Sequence, residues 1–250
     1  MSLYFISDVH VKQPNDFGDQ LLTLFLRQDF QRGDEVYLLG DIFDLMIGGH
    51  EEYFEDYSNF FKTLKDIISI GVKVYFFEGN HDFHLEKLFE KFKKKHAIEE
   101  GSLVVVRGIL VKEIAGKKYH ISHGDDIEIE NPNYQRYKKI VNNPLMRCVA
   151  NYIMPYSLLN LIGKNASSAS RKRNESRYQV TDDSHVKDKF RRSVLNVLED
   201  EHYDFLICGH SHVKDDVILK QCRYLNGGYA RIEKQCIKIK SNEVTFISLI

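Results

Sequence analysis

The chain has 250 residues, of which 43% are hydrophobic and 28% charged, and its formal net charge is -1 at pH 7. This length allows one large domain with a substantial buried core. The near-neutral balance argues against a nucleic-acid polymer as partner, because binding to phosphate backbones needs a surplus of basic residues. The four cysteines lack Cys-x-x-Cys spacing, which disfavours a disulfide framework or a structural zinc site.

The chain begins MSLYFISDVHV, which has neither the basic start nor the long apolar run of a secretory signal. We therefore expect a core strand there. The cysteine usage favours the reducing cytoplasm as the compartment of this protein. No segment reaches the ~20 apolar residues that a membrane span requires. The nearest candidate, residues 144–163, is interrupted by Arg147, Asn151 and Asn160.

The first hundred residues alternate between short apolar runs and segments in which apolar residues recur every three or four positions. These patterns predict strands at 3–6, 35–39 and 72–77, and helices at 19–28, 53–68 and 85–92. An alternating β-α-β-α-β order predicts a parallel sheet with right-handed crossovers.

After residue 100 the pattern becomes rich in strands. Short strands at 103–106, 109–114 and 118–122 predict a meander, with Gly108 and Gly116 at its turns. Five more strands are predicted at 205–208, 217–219, 223–225, 236–239 and 244–248. We therefore expect an α/β protein in which two packed sheets are flanked by helices.

Between these strand-rich parts, residues 128–181 carry few strand signals and predict an inserted, mainly helical cap. The core would then consist of 1–127 and 182–250, with a further helix over 182–200. The apolar stretch 145–162 either packs the cap onto the core or a second copy, or contacts acyl chains or a membrane surface. The basic residues of 164–177 either form a solvated face or bind phosphates.

Five short clusters of histidines and carboxylates follow one another along the chain: Asp8-Val-His10, Gly40-Asp41-Ile-Phe-Asp44, Gly79-Asn80-His81-Asp82, His123-Gly124-Asp125 and Gly209-His210-Ser-His212. Most of them directly follow an apolar run, which places their side chains at the carboxyl ends of buried strands, where ligands gather in α/β sheets. Imidazole and carboxylate groups bind divalent cations. A single histidine of this kind is by default structural, but five clusters together predict a two-metal hydrolase.

In this order, the motifs DxH, GDxxD, GNHD, HGD and GHSH resemble the calcineurin-like metallophosphoesterase superfamily over nearly the whole chain. The resemblance implies the metallophosphoesterase-type sandwich and two divalent metal ions. It implies a first metal held by Asp8, His10, Asp41 and His212, and a second held by Asp41, Asn80, His123 and His210. Asp41 would bridge them. Manganese is the metal we expect, although iron, zinc or cobalt suit the same donors.

Catalysis also requires a group that protonates the leaving oxygen. His81 is the candidate, because it lies beside the ligand Asn80 and is not a ligand in the family pattern. Asp44 would orient His81 and stabilise its protonated form. Alternatively, Asp44 is a helix N-cap. Asp82 is interpreted as a cap or as support for its neighbours.

Within the superfamily, the sequence is most similar to the bacterial UDP-2,3-diacylglucosamine pyrophosphatase family of lipid A synthesis. The DVH start, GDIFDLMIG, EGNHDF, HGDDIEIENPNYQRY and GHSHV carry this resemblance. It implies cleavage of a nucleotide-diphospho-lipid to 2,3-diacylglucosamine 1-phosphate and UMP, and peripheral contact of the cap with the inner face of the membrane. The candidate substrate-binding residues are Asn80, His81, Asn131, Lys164, Arg171 and Arg173.

Two departures keep another activity open. His81 stands where that pyrophosphatase family usually has arginine, and Asp44 where it has glutamate. The resulting Asp-His pair is typical of general phosphoesterases, so a phosphodiesterase or phosphatase for a small soluble substrate is the alternative. A non-catalytic scaffold on the same fold is disfavoured, because every expected ligand is present. The oligomeric state is left open.

Overall fold

The computed structural model describes residues 1–128, 132–159, 161 and 183–250. Its larger sheet has six strands: β1 (Ser2–Ile6), β2 (Glu35–Leu38), β4 (Lys73–Phe77), β6 (Leu103–Val106), β12 (Gln235–Lys240) and β13 (Glu243–Ser248). Their order is β13-β12-β1-β2-β4-β6. Strands β1, β2, β4 and β6 run parallel, whereas β12 and β13 are antiparallel to their neighbours.

The second sheet has five strands: β7 (Leu110–Ile114), β8 (Lys117–Ile121), β9 (Phe205–Cys208), β10 (Asp215–Leu219) and β11 (Cys222–Asn226). Their order is β10-β11-β9-β8-β7, and the central strands β8, β9 and β11 are parallel. A separate pair joins β3 (Met46–Ile47) in parallel to β5 (Asp82–Phe83).

The described helices are α1 (Phe17–Leu26), α2 (Tyr53–Asp56), α3 (Ser58–Ser69), α4 (Glu86–Lys95), α5 (Pro132–Val141), α6 (Pro144–Cys148), α7 (Ser184–Asp200) and α8 (Ala230–Glu233). A π-helix (Val149–Ile153) continues α6. In the described part of the chain, no helix combines the length and the apolar character needed to cross a bilayer.

The period-two alternation of the strands divides the core into layers. In β1, Leu3 and Phe5 lie in the cluster between the two sheets, whereas Tyr4 and Ile6 pack against the helices on the outer face. Helix α7 covers the outer face of the second sheet through Phe190 and Val194. The predicted α/β fold, with two packed sheets flanked by helices, is confirmed.

Two details of the predicted elements were wrong. Residues 103–122 do not form a meander, because β6 extends the larger sheet beside β4 and the β7–β8 hairpin joins the second sheet. Helix α4 makes β6 the next parallel strand of the β-α-β series, and Gly108 turns the chain towards the other sheet with φ +76°. The single helix predicted over 53–68 is divided into α2 and α3, since Tyr57 leaves the helical region with ψ 41°.

The predicted cap lies partly in described residues, which contain α5, α6 and the π-helix. The ring nitrogens Nε2 of His50 and His84 lie 3.0 and 2.9 Å from the carbonyl oxygens of Ala150 and Val141, which ties these helices to the core. The remaining cap positions 129–131, 160 and 162–182, with the candidates Asn131, Lys164, Arg171 and Arg173, lie outside the described residues.

Candidate metal centre

The predicted metal ligands lie together at one edge of the sandwich. Asp8 and His10 follow β1, Asp41 follows β2, Asn80 follows β4, His123 follows β8, and His210 and His212 follow β9. Because β1, β2 and β4 are parallel, as are β8 and β9, their carboxyl ends meet at this edge. The side chains of Asp8, His10, Asp41 and His123 are buried.

The ligands form two groups of converging donor atoms. In the first, Asp8, His10, Asp41 and His212 each offer one atom, all within 4.8 Å of one another. The His212 Nε2 atom lies 3.2 Å from Asp8 Oδ1 and 3.2 Å from His10 Nε2. The His10 Nε2 atom lies 3.8 Å from Asp41 Oδ2.

In the second group, Asp41, His123 and His210 also offer atoms within 4.8 Å of one another. The Asn80 Oδ1 atom lies 3.3 Å from His123 Nε2 and 3.1 Å from His210 Nδ1. The His123 Nε2 atom is 3.6 Å from Asp41 Oδ2. Asp41 therefore belongs to both groups, which is the position of a bridging ligand.

The outer nitrogens of three imidazoles show why these groups suit cations. His10 Nδ1 lies 3.4 Å from the Asp44 carboxylate, His123 Nδ1 lies 2.7 Å from the Leu39 carbonyl, and His210 Nε2 lies 3.1 Å from the Glu128 carboxylate. A proton assigned to each of these nitrogens leaves a lone pair on the inward nitrogen. The inward nitrogens of these three rings can then bind a divalent cation, which would take the place of any proton that they hold.

The charges around the site agree with this assignment. Burial alone would lower the pKa of His123, but the carboxylates of Asp41 and Asp125 raise it to about 9, so this position favours positive charge and a cation would displace the proton of the inward nitrogen. Burial would raise the pKa of Asp41, but the surrounding imidazoles hold that pKa well below its usual range. Asp41 is therefore ionised at neutral pH and supplies negative charge to both groups.

The backbone at five ligands is unusual. Asp8, His10, Asp41, His210 and His212 have φ values of 52°, 48°, 51°, 65° and 59°, in the left-handed region. Few non-glycine residues adopt this region, and Asp, Asn and His do so most readily. Hydrogen bonds between the two ligand loops hold the conformation, since Asp8 N–H donates to Gly40 O and His10 N–H donates to Asp41 O. Such conformations cluster at functional sites.

Two glycines are required by close packing. A Cβ atom at Gly79 would lie 2.3 Å from Asp41 Oδ1, and one at Gly209 would lie 2.4 Å from Asp8 Oδ2. Neither distance is compatible with a side chain, so the glycine that precedes Asn80 and the one that precedes His210 allow the ligand loops to approach one another.

Asp82 supports the loop that carries Asp41. Its Oδ1 atom accepts hydrogen bonds from the backbone N–H groups of Asp41 and Gly79, and its Oδ2 atom accepts from Ile42 and Phe43. The side chain is fully buried. Asp82 therefore has the supporting position interpreted from the sequence, and it is not among the converging ligands.

The contact between Asp44 and His81 differs from the sequence expectation. His81 Nδ1 donates to the main-chain oxygen of Asp44 at 2.9 Å, while the Asp44 carboxylate faces His10. The parallel pairing of β3 with β5 aligns the two backbones, which brings the Asp44 carbonyl to His81, while an Asp44 carboxylate oxygen also lies within 4.8 Å of a His81 nitrogen. Burial would lower the pKa of His81, but the carboxylates of Asp41 and Asp44 raise it. Asp44 nevertheless contacts both histidines.

Sequence reasoning missed two residues that contact ligands. Glu128 accepts from His210 Nε2 on one oxygen and from Lys189 Nζ, at 2.5 Å, on the other. No motif marks it within the acidic stretch after His123. The Tyr229 ring stacks on His212 with centroids 5.1 Å apart. Tyr229 follows β11, which is parallel to β9, so its position after a parallel strand could have identified it as a neighbour of the ligands.

A cleft of about 320 Å³ opens beside Asn80, next to the second ligand group. Core residues and residues of α5 and α6 line it, so the described part of the cap forms one of its walls. Its charged residues are Glu78, Arg107, Asp125, Lys138 and Arg147.

Residues 1–214 match the family model described as calcineurin-like phosphoesterase. Among curated proteins, the UDP-2,3-diacylglucosamine hydrolase of Photorhabdus laumondii subsp. laumondii is 29% identical over 216 residues, which cover 85% of this chain and 82% of that protein. The protein of the same name from Vibrio atlanticus is 29% identical over 219 residues, with 85% and 81% coverage. Since the family match contains every converging ligand, the chain belongs to the calcineurin-like phosphoesterase family.

Proposed function

We propose that this phosphoesterase cleaves the pyrophosphate bond of UDP-2,3-diacylglucosamine, releasing 2,3-diacylglucosamine 1-phosphate and UMP. The shared position of Asp41 supports hydrolysis as the reaction, because its carboxylate belongs to both groups of converging ligand atoms. The substrate is supported by the relatives named UDP-2,3-diacylglucosamine hydrolase, which align over more than four fifths of their length.

Two divalent cations, which we propose to be manganese, would supply an activated water and neutralise charge on the phosphoryl oxygens. Iron, zinc and cobalt are the other candidates. Asp8, His10, Asp41 and His212 would hold one ion. Asp41, Asn80, His123 and His210 would hold the other.

His81 is proposed to transfer a proton to the leaving oxygen. The Asp44 carbonyl accepts from its Nδ1 atom, which fixes the ring and leaves Nε2 for proton transfer. Its ring packs edge-on against that of His10, with centroids 4.9 Å apart, so it adjoins the first ligand group.

The cap is proposed to bind the lipid part of the substrate. In its described part, Leu145 and Ile153 are 64% and 65% exposed, and Tyr152 and Leu161 are exposed as well. Several exposed apolar side chains in one short segment suit contact with acyl chains or a membrane surface. Asn131, Lys164, Arg171 and Arg173 are proposed to contact the polar part of the substrate.

A second candidate is a phosphodiesterase or phosphatase for a small soluble substrate. The presence of His81 supports it, because an alkoxide leaving group requires a proton donor more than a leaving phosphate does. The charged walls of the cleft beside Asn80 support it too, since charged walls suit a polar substrate.

One assay separates the two candidates. Manganese-loaded protein is incubated with UDP-2,3-diacylglucosamine or with bis(p-nitrophenyl) phosphate, and release of UMP or p-nitrophenol is measured. The Asp41→Asn variant, purified in parallel, controls for contaminating hydrolases. UMP release by the wild type, but not by the Asp41→Asn variant, supports our proposal. Cleavage of the generic ester without any UMP release supports the soluble-substrate enzyme, and no cleavage of either contradicts both.

A further inference from the structure

We propose that the cleft beside Asn80 binds a second phosphate group of the substrate, through the guanidinium groups of Arg107 and Arg147. This inference rests on the proposed function, because it assigns a substrate class to the same site. That class is phosphoesters in which a second phosphate accompanies the one that is cleaved.

The charged side chains that line the cleft differ in how far other protein groups neutralise them. Lys138 Nζ lies 2.9 Å from the Asp125 carboxylate, so this pair is largely neutralised within the protein. Arg107 contacts Glu86, which lies outside the cleft lining, and its Nε atom is 4.0 Å from Glu78. Its guanidinium is one third exposed and retains donors towards the cleft.

Arg147 differs from Lys138 and Arg107 in its lack of a charged partner among the described residues. Within the described residues, its guanidinium makes no ion pair, and its buried Nε atom has no hydrogen-bond partner. A buried N–H group without an acceptor is costly, and native proteins rarely leave one unsatisfied. Because Nε is closed to solvent, the donors that Arg147 can offer to an anion in the cleft are the terminal nitrogens of the same guanidinium.

The two guanidinium groups also act on each other. Burial lowers the pKa of Arg107, the Glu78 carboxylate raises it, and the positive charge of Arg147 lowers it again. The two like charges therefore lie close enough to repel, and Glu78 offsets part of that repulsion. A phosphate between them would convert this repulsion into two attractive interactions. Arginine presents a planar set of donors that matches phosphate oxygens, often with two parallel hydrogen bonds.

The position of the cleft links it to the reacting group. Gly79 and Asn80 belong to its lining, and Asn80 Oδ1 is one of the converging atoms of the second ligand group. A molecule with one phosphate at the ligand groups therefore reaches the cleft with its next phosphate. Pyrophosphates and phosphoesters with a nearby second phosphate meet this requirement, whereas simple monoanionic diesters do not.

The first test compares two chromogenic esters that differ by one phosphate: thymidine 5′-(p-nitrophenyl phosphate) and its 3′-phosphorylated form. We expect the wild type to prefer, in kcat/KM, the ester that carries two phosphate groups. Arg147→Gln and Arg107→Gln should each reduce this preference by about tenfold, as expected for the loss of a charge-assisted hydrogen bond. Arg223→Gln, which removes the same charge from an ion pair with Asp216 outside the cleft, should keep it.

A binding measurement gives a readout that does not depend on turnover. Calorimetry of the metal-loaded protein with bisphosphonates of one or three methylene groups, against propylphosphonate, should show tighter binding of a bisphosphonate. The Arg147→Gln variant should lose this preference.

Equal preferences in the wild type and in the arginine variants, in both measurements, would overturn the inference while leaving the proposed hydrolysis intact. Conversely, a wild type that binds bisphosphonates through Arg147 but releases no UMP from UDP-2,3-diacylglucosamine would retain the subsite and contradict the proposed function.

Discussion

The ligand groups and the adjacent cleft are built in opposite ways. At the ligand groups, His10, His123 and His210 each have an acceptor behind the ring, so their orientation is fixed by the protein alone. In the cleft, Arg147 has no such partner among the described residues. The first arrangement is preorganised for cations, and the second is completed only when an anion arrives.

This difference has a structural origin. The ligands come from the ends of neighbouring parallel strands, whose register is fixed by the sheets. One wall of the cleft comes from α5 and α6, which contact the core through side chains such as His84, whose ring nitrogen lies 2.9 Å from the Val141 carbonyl oxygen. We therefore propose that the core determines which reaction occurs and that the cap side determines which substrate is accepted. Substitutions in the two regions should have distinguishable effects.

The largest effect is expected for Asp41→Asn. Asparagine keeps the shape but removes the charge shared by both ligand groups, so both ions should be lost and turnover should fall by roughly 1,000-fold or more. Metal content per chain, measured by mass spectrometry after dialysis, and hydrolysis of bis(p-nitrophenyl) phosphate check this. Two retained ions in the variant would refute the bridging position.

His81→Gln should affect turnover without affecting metal binding. Removing a general acid costs about 100-fold or more, whereas the ligand set is untouched. The loss should be smaller for p-nitrophenyl esters, whose leaving group needs little protonation, than for esters of aliphatic alcohols. An empty metal position in this variant would show that His81 is a ligand rather than a proton donor.

Glu128→Gln should weaken one metal position only. The carboxylate orients His210 from behind, and losing such support typically lowers metal affinity by about 10- to 100-fold. Competition with a chelator should release one ion earlier than in the wild type. The matched control is Glu201→Gln, which removes an exposed carboxylate paired with Lys118 and should leave metal affinity unchanged.

The smallest effect is expected for His50→Ala, which breaks a tie between cap and core. Losing this hydrogen bond should lower the free energy of unfolding by about 1 kcal/mol, with metal content unchanged. Urea denaturation measures the difference, and His202→Ala at an exposed position serves as the control. A loss of metal in the His50 variant would contradict the independence of the two regions.

The sequence predicted that these side chains lie together because the physical signals were local. Each ligand follows an apolar strand, and parallel strands bring their carboxyl ends to one edge, so Asp8, Asp41 and His123 could be placed together without coordinates. The support of His210 by Glu128 could not be predicted. It depends on how the loop after His123 folds back, and no spacing rule describes that.

The contacts of Asp44 show a second reason why the structure differs from the sequence-based prediction. A carboxylate three residues after a ligand suggested a partner for His81, but the Asp44 carbonyl accepts the hydrogen bond from His81 Nδ1, and the carboxylate faces His10 while remaining within 4.8 Å of a His81 nitrogen. Likewise, the strand at 103–106 was recognised, but its sheet was not. Which sheet a strand joins depends on packing between distant segments, which local patterns do not contain.

The left-handed backbone at five ligands has a consequence for folding. Conformations of this kind cost of order 1–3 kcal/mol each for residues other than glycine, and here they are concentrated where negative side chains also repel one another. Cations that bind only the folded arrangement would offset that cost by mass action. Acquiring metal and completing the fold are therefore one linked equilibrium for this chain, and its thermal stability should rise with the concentration of free metal.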